Sequence, residues 1–262
     1  MRLSPKVAVG FLALSLVSFA ETSIDELKQG QEKIDRGDYT GAINVLDRAL
    51  MKSPDQAEAY FWRGMAKEKR HDSIGALVDY GEAIRLDLTE PRYYIARGNL
   101  LVTVARYQAA IADYDLVTTL KPGDFLAYQK RGEARSLMGN NIGAINDFGK
   151  AINCNPKAPE PYGMRIQVLR LQGDLAAALE CANDTLALFP EFAEAYHQRS
   201  KVKSANRDTE AAAADLDEAI RLAPDEMEYY KERAYLRSAL GDSEGAQADV
   251  EKYNELAKAK RP

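Results

Sequence analysis

Six tyrosines recur in this chain at intervals of 34 residues, and this spacing constrains its fold more than any other feature. An arginine follows each of these tyrosines by three residues, and an alanine keeps the same interval at seven positions. The tyrosines are Tyr60, Tyr94, Tyr128, Tyr162, Tyr196 and Tyr230. A fixed period of this length predicts stacked copies of one small structural unit, and proteins of that type act through extended binding surfaces.

Each interval has the pattern of two helices joined by a tight turn. In the interval 57–90, Ala59, Arg63 and Lys67 lie at helical spacing, and a break follows at Asp72. Apolar residues then recur at steps of three and four, which is typical of one face of a second helix. Other copies have glycine in the turn, where a helix end favours a left-handed residue, and proline at the end of the second helix.

These positions resemble the tetratricopeptide repeat (TPR) family. In the copy that begins near residue 125, the family pattern reads Tyr128, Arg131-Gly132, Arg135, Ala144, Phe148, Ala151 and Pro156. The resemblance implies an all-α, right-handed superhelical solenoid of about seven helix-turn-helix repeats over residues 23–260. The repeats are expected to start near residues 23, 57, 91, 125, 159, 193 and 227.

The first twenty residues have the pattern of a secretory signal peptide. Arg2 and Lys6 precede an apolar run that ends in the small residues Ser18 and Ala20. We therefore expect cleavage of residues 1–20 near Ala20-Glu21, and an exported protein that is periplasmic or secreted. A retained membrane anchor is the alternative, although the run is shorter than the roughly 20 residues that a membrane helix needs.

The composition argues against several classes of partner. The chain is 46% hydrophobic and 29% charged, which is typical of a folded protein. Its net charge of −5 and the lack of a basic cluster argue against nucleic acid. Cys154 and Cys181 stand seven positions apart in the repeat frame, which disfavours a disulfide between them. No cluster of potential ligands has metal-binding spacing, so we expect neither a metal nor a cofactor.

Aspartates share the period of the arginines and predict structural salt bridges, either between the helices of one repeat or between adjacent repeats. The alternative is an arginine ladder that binds an anionic ligand. Arg165 is the exception, because Cys181 stands where its aspartate is expected. The predicted pairs are Arg63 with Asp79, Arg97 with Asp113, Arg131 with Asp147, Arg199 with Asp215, and Arg233 with Asp249.

The resemblance implies that the first helices line a concave face that binds a peptide. Its early positions are mostly apolar and its later ones polar. The apolar ones favour an amphipathic helix or an extended peptide, unless they pack against neighbouring first helices. The predicted residues are Leu27, Gln31, Ile34, Phe61, Met65, Ile95, Asn99, Val102, Gln129, Glu133, Arg170 and Lys201, and the later repeats add Gln167, His197, Lys231 and Tyr235.

The last repeat predicts a contact between copies of the chain. Val250, Tyr253 and Leu256 share one face of its second helix, with charged residues opposite. This face either covers itself or supports a homo-oligomer.

No pattern predicts an enzyme or a small-molecule substrate. Neither His71 nor His197 is near a repeat position that would pair it with a serine or cysteine as base and nucleophile, and no phosphate-binding glycine loop is present. We expect a non-enzymatic protein–protein interaction scaffold or adaptor in a bacterial envelope complex. Two alternatives stay open, namely a periplasmic chaperone-like binder of unfolded clients and a self-assembling structural element.

Overall fold

The computed structural model describes residues 24–260, and within that range the chain forms helices and no strand. The predicted signal peptide and its cleavage site lie outside this range. The described residues form two compact units that divide between Pro122 and Gly123, which we call unit 1 and unit 2. The predicted all-α repeat architecture is confirmed.

Helices of similar length follow one another in both units. Those of unit 1 are α1 (24–35), α2 (Tyr39–Lys52), α3 (Ala57–Lys69), α4 (Ser73–Leu86), α5 (Pro91–Thr103) and α6 (Tyr107–Leu120). Those of unit 2 are α7 (Phe125–Leu137), α8 (Asn141–Cys154), α9 (Glu160–Gln172), α10 (Leu175–Leu188), α11 (Ala193–Ala205), α12 (Thr209–Leu222), α13 (Met227–Ala239) and α14 (Ser243–Ala259). Each odd-numbered helix and the helix after it form one repeat, and we number the repeats one to seven.

The turn inside each repeat contains one residue with positive φ. Glycine holds this position in four repeats, and His71, Ala105 and Arg207 hold it in the other three. Glycine suits it because a left-handed conformation costs a residue without Cβ little. In repeat two the next residue, Asp72, caps the second helix by accepting a hydrogen bond from the backbone N–H of Gly75 at 2.9 Å.

Small residues bring the two helices of a repeat into close contact. A Cβ atom at Gly98 on α5 would lie 2.8 Å from the ring of Tyr114 on α6, and Gly64 has the same relation to Tyr80. The recurring alanine of the second helix is fully buried in every repeat from Ala42 to Ala212. The periodic glycines and alanines therefore set the distance between helices, and the aromatic rings fill the space that remains.

An arginine and an aspartate join the two helices in five repeats, and we call them a fork pair. In repeat two, Arg63 donates from Nη2 to Asp79 Oδ1 at 2.7 Å and from Nε to Oδ2 at 2.9 Å. The aspartates of these pairs are 1–4% exposed. The same two bonds occur in Arg97–Asp113, Arg131–Asp147, Arg199–Asp215 and Arg233–Asp249.

Some fork arginines also contact the second helix of the preceding repeat. Arg63 Nη1 lies 2.7 Å from Asp47 Oδ1, and Arg233 Nη1 lies 2.7 Å from Asp217 Oδ1. The salt bridges thus form both within a repeat and between adjacent repeats. The position equivalent to Asp47 is occupied by Asn183 before Arg199, by Gly81 before Arg97 and by Gly149 before Arg165.

A second cation meets the aspartate in four repeats, and the sequence analysis did not identify it. Lys67 Nζ lies 2.7 Å from Asp79 Oδ2, four residues after the fork arginine. Arg135, Lys203 and Arg237 occupy the same position in repeats four, six and seven. Each of these buried carboxylates therefore faces two cations, which offsets the cost of removing its charge from water.

Replacing Asp113 with alanine should lower the free energy of unfolding by about 3 kcal/mol, because Arg97 would keep a partly buried charge without its carboxylate. Chemical denaturation followed by circular dichroism would measure the change. Gln108→Ala, at an exposed position on the same helix, should change the free energy by less than about 0.5 kcal/mol. Equal losses for the two variants would contradict a structural role for the pair.

Two glycines should respond to alanine in opposite directions. Gly98→Ala should lower the free energy of unfolding by about 1–3 kcal/mol, because the new methyl group overlaps Tyr114. Gly149 lies inside α8 with nothing within 4 Å of an added Cβ, so alanine there should raise stability by about 0.5–1 kcal/mol. Thermal unfolding of both variants tests this contrast, and a loss of stability in Gly149→Ala would refute it.

Candidate functional site

The first helices of unit 1 form a cleft of about 320 Å³, which we call the unit 1 cleft. It lies between α3 and α5, the first helices of two consecutive repeats, in which equivalent positions are 34 residues apart. Four of the predicted peptide-binding residues line it, namely Phe61, Met65, Ile95 and Asn99. The other lining residues are Glu68, Lys69, Tyr80, Arg92 and Ala96.

Phe61, one of the predicted peptide-binding residues, is mostly buried and contributes mainly packing to the unit 1 cleft. Its ring is 6% exposed and lies 5.1 Å from the ring of Tyr93 on α5 and 5.2 Å from that of Trp62. Phe61 therefore packs against the neighbouring first helix, which was the alternative considered above. Met65 and Ile95 are half-buried, so these two side chains present the accessible apolar surface of the cleft.

Hydrogen bonds fix the polar groups of the unit 1 cleft. The Tyr80 hydroxyl donates to Glu68 Oε2 at 2.6 Å, and the Tyr114 hydroxyl donates to Asn99 Oδ1 at 2.8 Å. Burial and the bond to Glu68 raise the pKa of Tyr80, which stays protonated. Because the Asn99 oxygen accepts from Tyr114, its exposed amide nitrogen remains a donor for a peptide.

A larger cleft of about 700 Å³ lies in unit 2, and we call it the unit 2 cleft. It brings together Arg170 and Lys201, two of the predicted residues, from α9 and α11. The exposed Tyr235 ring lies on the α13 side. The other lining residues are Ser200, Ser204, Ala205, Glu228, Lys231, Glu232 and Leu236.

The charges of the unit 2 cleft are only partly paired. Lys201 Nζ lies 3.2 Å from Glu232 Oε1, and Lys231 Nζ lies 2.8 Å from Glu228 Oε1. The Nε atom of Arg170 is buried and has no hydrogen-bond partner among the described residues. The cleft therefore has one positive charge in excess, at a guanidinium that an anionic or carbonyl group could satisfy.

His197 connects repeat six to repeat seven beside this cleft. Its Nε2 atom lies 3.0 Å from Glu232 Oε2 on α13, and its Nδ1 atom lies 3.3 Å from Glu194 Oε2 on α11. The imidazole ring packs on the ring of Tyr229 at 4.6 Å and is 6% exposed. Only the protonated imidazole can donate to both carboxylates at once.

The carboxylates dominate the titration of His197. Burial lowers the pKa of His197, but the hydrogen bonds to Glu194 and Glu232 outweigh burial, and the pKa lies above its usual value. Burial raises the pKa of Glu232, but the hydrogen bonds and positive charges of His197 and Lys201 together outweigh burial, and the pKa is lowered. These opposite shifts favour an ion pair that joins the last two repeats.

Eight predicted residues line neither cleft, and among them are His197, described above, and Gln167, which is exposed on α9. Leu27 on α1 packs against a cluster formed by Leu46 and Leu50 of α2 and Ala59 of α3. Gln31, Ile34 and Val102 are half-buried on their helices.

Gln129 and Glu133 belong to this group. Gln129 is 7% exposed and donates to Glu133 Oε1 at 3.1 Å, so little of its side chain is accessible to a partner. Glu133 also forms a salt bridge with Lys130, in which Oε2 lies 2.9 Å from Nζ. Neighbouring side chains thus occupy both polar groups.

The sequence analysis missed the carboxylates around His197 and the serines of the unit 2 cleft. A signal was available for one of them, because glutamate recurs at 34-residue spacing in Glu58, Glu160, Glu194 and Glu228. Glu232 has no such signal, and its role depends on the approach of α13 to α11.

Residues 24–260 contain neither a membrane-spanning helix nor a cluster of metal ligands. Over that range, no helix has the length and apolarity to cross a membrane, and no group of three histidine, cysteine or acidic side chains has a metal-binding arrangement.

Sequence comparison identifies individual repeats. Models described as TPR repeat and tetratricopeptide repeat match residues 30–69, and residues 91–124 and 193–226, respectively. Serine/threonine-protein phosphatase 5 of rat and of human is 31% identical over 101 residues, or 38% of this chain. The match spans a fifth of the length of those curated relatives, 20% of each.

Solved structures of similar fold cover most of the chain. A tetratricopeptide repeat protein from Parabacteroides merdae has a TM-score of 0.75 at 18% identity, with 90% of this chain and 93% of that chain covered. YrrB, a TPR protein with an unusual peptide-binding site, has a TM-score of 0.56 at 20% identity, over 72% of this chain and 97% of that one. Yeast Tom70 has a TM-score of 0.62 at 19% identity, over 91% and 50%. Together with the helix pairs described above, these matches show that the chain contains tetratricopeptide repeats and has the fold of tetratricopeptide repeat proteins.

Proposed function

We propose that this TPR protein is a non-enzymatic scaffold that binds a peptide segment or a helix of another protein on the faces formed by its first helices. TPR proteins in general support protein–protein interaction. The observation that carries the proposal is the unit 2 cleft. This cleft of about 700 Å³ is lined by the unpaired guanidinium of Arg170 and the exposed ring of Tyr235. Clefts of this size with a few convergent polar groups are typical of binding sites.

The chemistry of the unit 2 cleft favours a peptide with an acidic and an apolar side chain. A carboxylate can accept from Arg170, whose counter-charge is otherwise missing. Tyr235 is 75% exposed, so its ring offers a flat apolar surface to a neighbouring side chain. The salt-bridged Lys201 and Lys231 contribute less, since each already has a carboxylate.

The unit 1 cleft favours an apolar side chain with one hydrogen bond to the peptide backbone. Met65 and Ile95 give it adaptable apolar walls, and the Asn99 amide offers one donor to a peptide carbonyl. We propose that it binds a Leu-, Met- or Phe-like side chain of a partner peptide.

We also propose that the protein is exported and acts in a bacterial envelope complex, on the basis of the signal-peptide pattern in residues 1–20. A self-assembling element is the second candidate. Its support is α14, where Val250 is 42% exposed and only Asp249 is buried. Enzymatic activity is not part of the proposal, because neither serine of the unit 2 cleft is hydrogen-bonded to a base within residues 24–260, and Ser200 donates instead to the Ala212 carbonyl at 2.8 Å.

A photo-cross-linking residue placed at Tyr235 should capture discrete protein partners in native cells. The added substitution Arg170→Leu should reduce the captured amount about tenfold, because a charge-assisted hydrogen bond is lost. Mass spectrometry of the adducts measures both effects. The same cross-linker at Glu210, on the exposed face of α12, and the substitution Arg106→Leu serve as matched controls.

The pattern of adducts separates the candidate functions. Equal capture from Tyr235 and Glu210, or no effect of Arg170→Leu, would refute the proposed cleft. Adducts with many unrelated unfolded proteins would favour a chaperone-like binder. Adducts between two copies of this chain would favour self-assembly.

The contact between repeats six and seven should weaken as the pH rises. The pKa of His197 is raised in the folded protein, so its stabilisation is complete below the unfolded pKa of about 6.5 and is lost as the pH passes the folded value. Urea denaturation from about pH 6 to pH 9 should show this decline. It should disappear in His197→Gln and persist in His71→Gln, which removes the only other histidine. The same decline in both variants would exclude His197 as its source.

A further inference from the structure

Repeat five keeps the fork arginine but has lost its carboxylates. Cys181 stands at the aspartate position of α10, and Gly149 stands at the acid position of the preceding repeat. The second cation is also absent, because Leu169 occupies its position. As a result, the Nε atom of Arg165 is buried and has no hydrogen-bond partner among the described residues. A buried donor without an acceptor is uncommon in folded proteins and calls for an explanation.

A cavity of about 310 Å³ opens beside this arginine, and we call it the Arg165 cavity. It lies between the two helices of repeat five, and no residue of the unit 2 cleft lines it. Its apolar walls come from Leu169 and Ala177. The other lining residues are Tyr162, Arg165, Glu180, Cys181 and Asp184.

We propose that the Arg165 cavity is a carboxylate-binding site that accepts an aspartate or glutamate side chain of a partner protein. In five other repeats the same arginine holds a carboxylate through two hydrogen bonds, of 2.6–2.7 Å from Nη2 and 2.9 Å from Nε. Repeat five presents this guanidinium with no acceptor. The cavity beside it is larger than one carboxylate, so a side chain can enter from solvent.

The acidic residues at this cavity narrow the choice of partner. Glu180 and Asp184 are exposed, so water and salt screen their repulsion of an incoming carboxylate strongly. The attraction between that carboxylate and the buried Nε atom of Arg165 is screened less. Both acidic residues also attract cations. The partner segment that complements Arg165, Glu180 and Asp184 together is therefore an acidic side chain flanked by lysine or arginine. The Arg165 cavity is separate from the unit 1 cleft and the unit 2 cleft. It can bind a carboxylate whether or not those clefts bind a peptide.

The cysteine in the cavity allows a direct test with a carboxylate reagent. Iodoacetate and iodoacetamide both alkylate a thiolate with loss of iodide, but only iodoacetate has a carboxylate. Burial raises the pKa of the Cys181 thiol, so the rates should be compared as a ratio of the two reagents at each cysteine. This ratio cancels the fraction of thiolate. Cys154, an exposed thiol on α8, is the internal control.

The ratio of iodoacetate rate to iodoacetamide rate should be about fivefold higher at Cys181 than at Cys154, because the unpaired guanidinium attracts the anionic reagent. Arg165→Gln should reduce the Cys181 ratio to that of Cys154. Peptide mass spectrometry after timed quenching gives all four rates. Equal ratios in the native protein, or no alkylation of Cys181 by either reagent, would overturn the proposal.

Two further measurements identify the source of the carboxylate. A blocked Lys-Asp-Lys peptide should slow the reaction of Cys181 with iodoacetate more than acetate does at equal concentration, and its Lys-Asn-Lys analogue should not. If acetate competes as well as the peptide, the site binds small carboxylates and the partner-protein assignment is wrong.

Cys181→Asp should place a carboxylate of the chain itself beside Arg165 and raise Tm by about 2–4 °C, whereas Cys181→Ser should not. No shift with aspartate would show that the cavity cannot hold a carboxylate in the fork geometry.

Discussion

The bidentate bond between an arginine of the first helix and an aspartate of the second is the interaction on which five of the seven repeats depend. Glycine and alanine allow the helices to approach, but apolar contact of this kind tolerates sliding. Two parallel hydrogen bonds of fixed geometry do not. Since the aspartate is almost completely buried, it must meet its arginine, and in most repeats a second cation, or else carry an uncompensated charge. One register of the helix pair satisfies that condition.

The sequence predicted the repeat, its helix pairs and the arginine–aspartate register because each depends on residues at a fixed interval. The second cation was missed because Leu101 and Leu169 interrupt its series. The binding face was predicted only in outline. Phe61 and Ile95 occupy equivalent positions, yet Phe61 is buried because the ring of Tyr93 lies beside it. Exposure on such a face depends on the size of neighbouring side chains, which vary between repeats.

The candidate sites lie where the repeats differ. Unit 1 and unit 2 each contain a cleft on their first helices, but one is apolar and the other has excess positive charge. The Arg165 cavity arises at the one repeat that has the fork arginine without its aspartate. A repeated framework thus provides stability, and departures from the repeat leave polar groups that the chain itself does not satisfy.

The glycines that precede Arg97 and Arg165 also affect how the protein unfolds. Gly81 and Gly149 remove the acid that would link repeat two to repeat three and repeat four to repeat five. In a linear array, cooperativity depends on the coupling between neighbours. In the described part of the chain, the junction of repeats two and three keeps one ion pair, between Arg92 and Glu58 at 2.6 Å. Both junctions therefore have fewer ion pairs than the junction between repeats six and seven, which has the Arg233–Asp217 bridge and the His197 contacts. Partial unfolding should begin at the weak junctions, and hydrogen exchange should divide the chain into cooperative segments that end there.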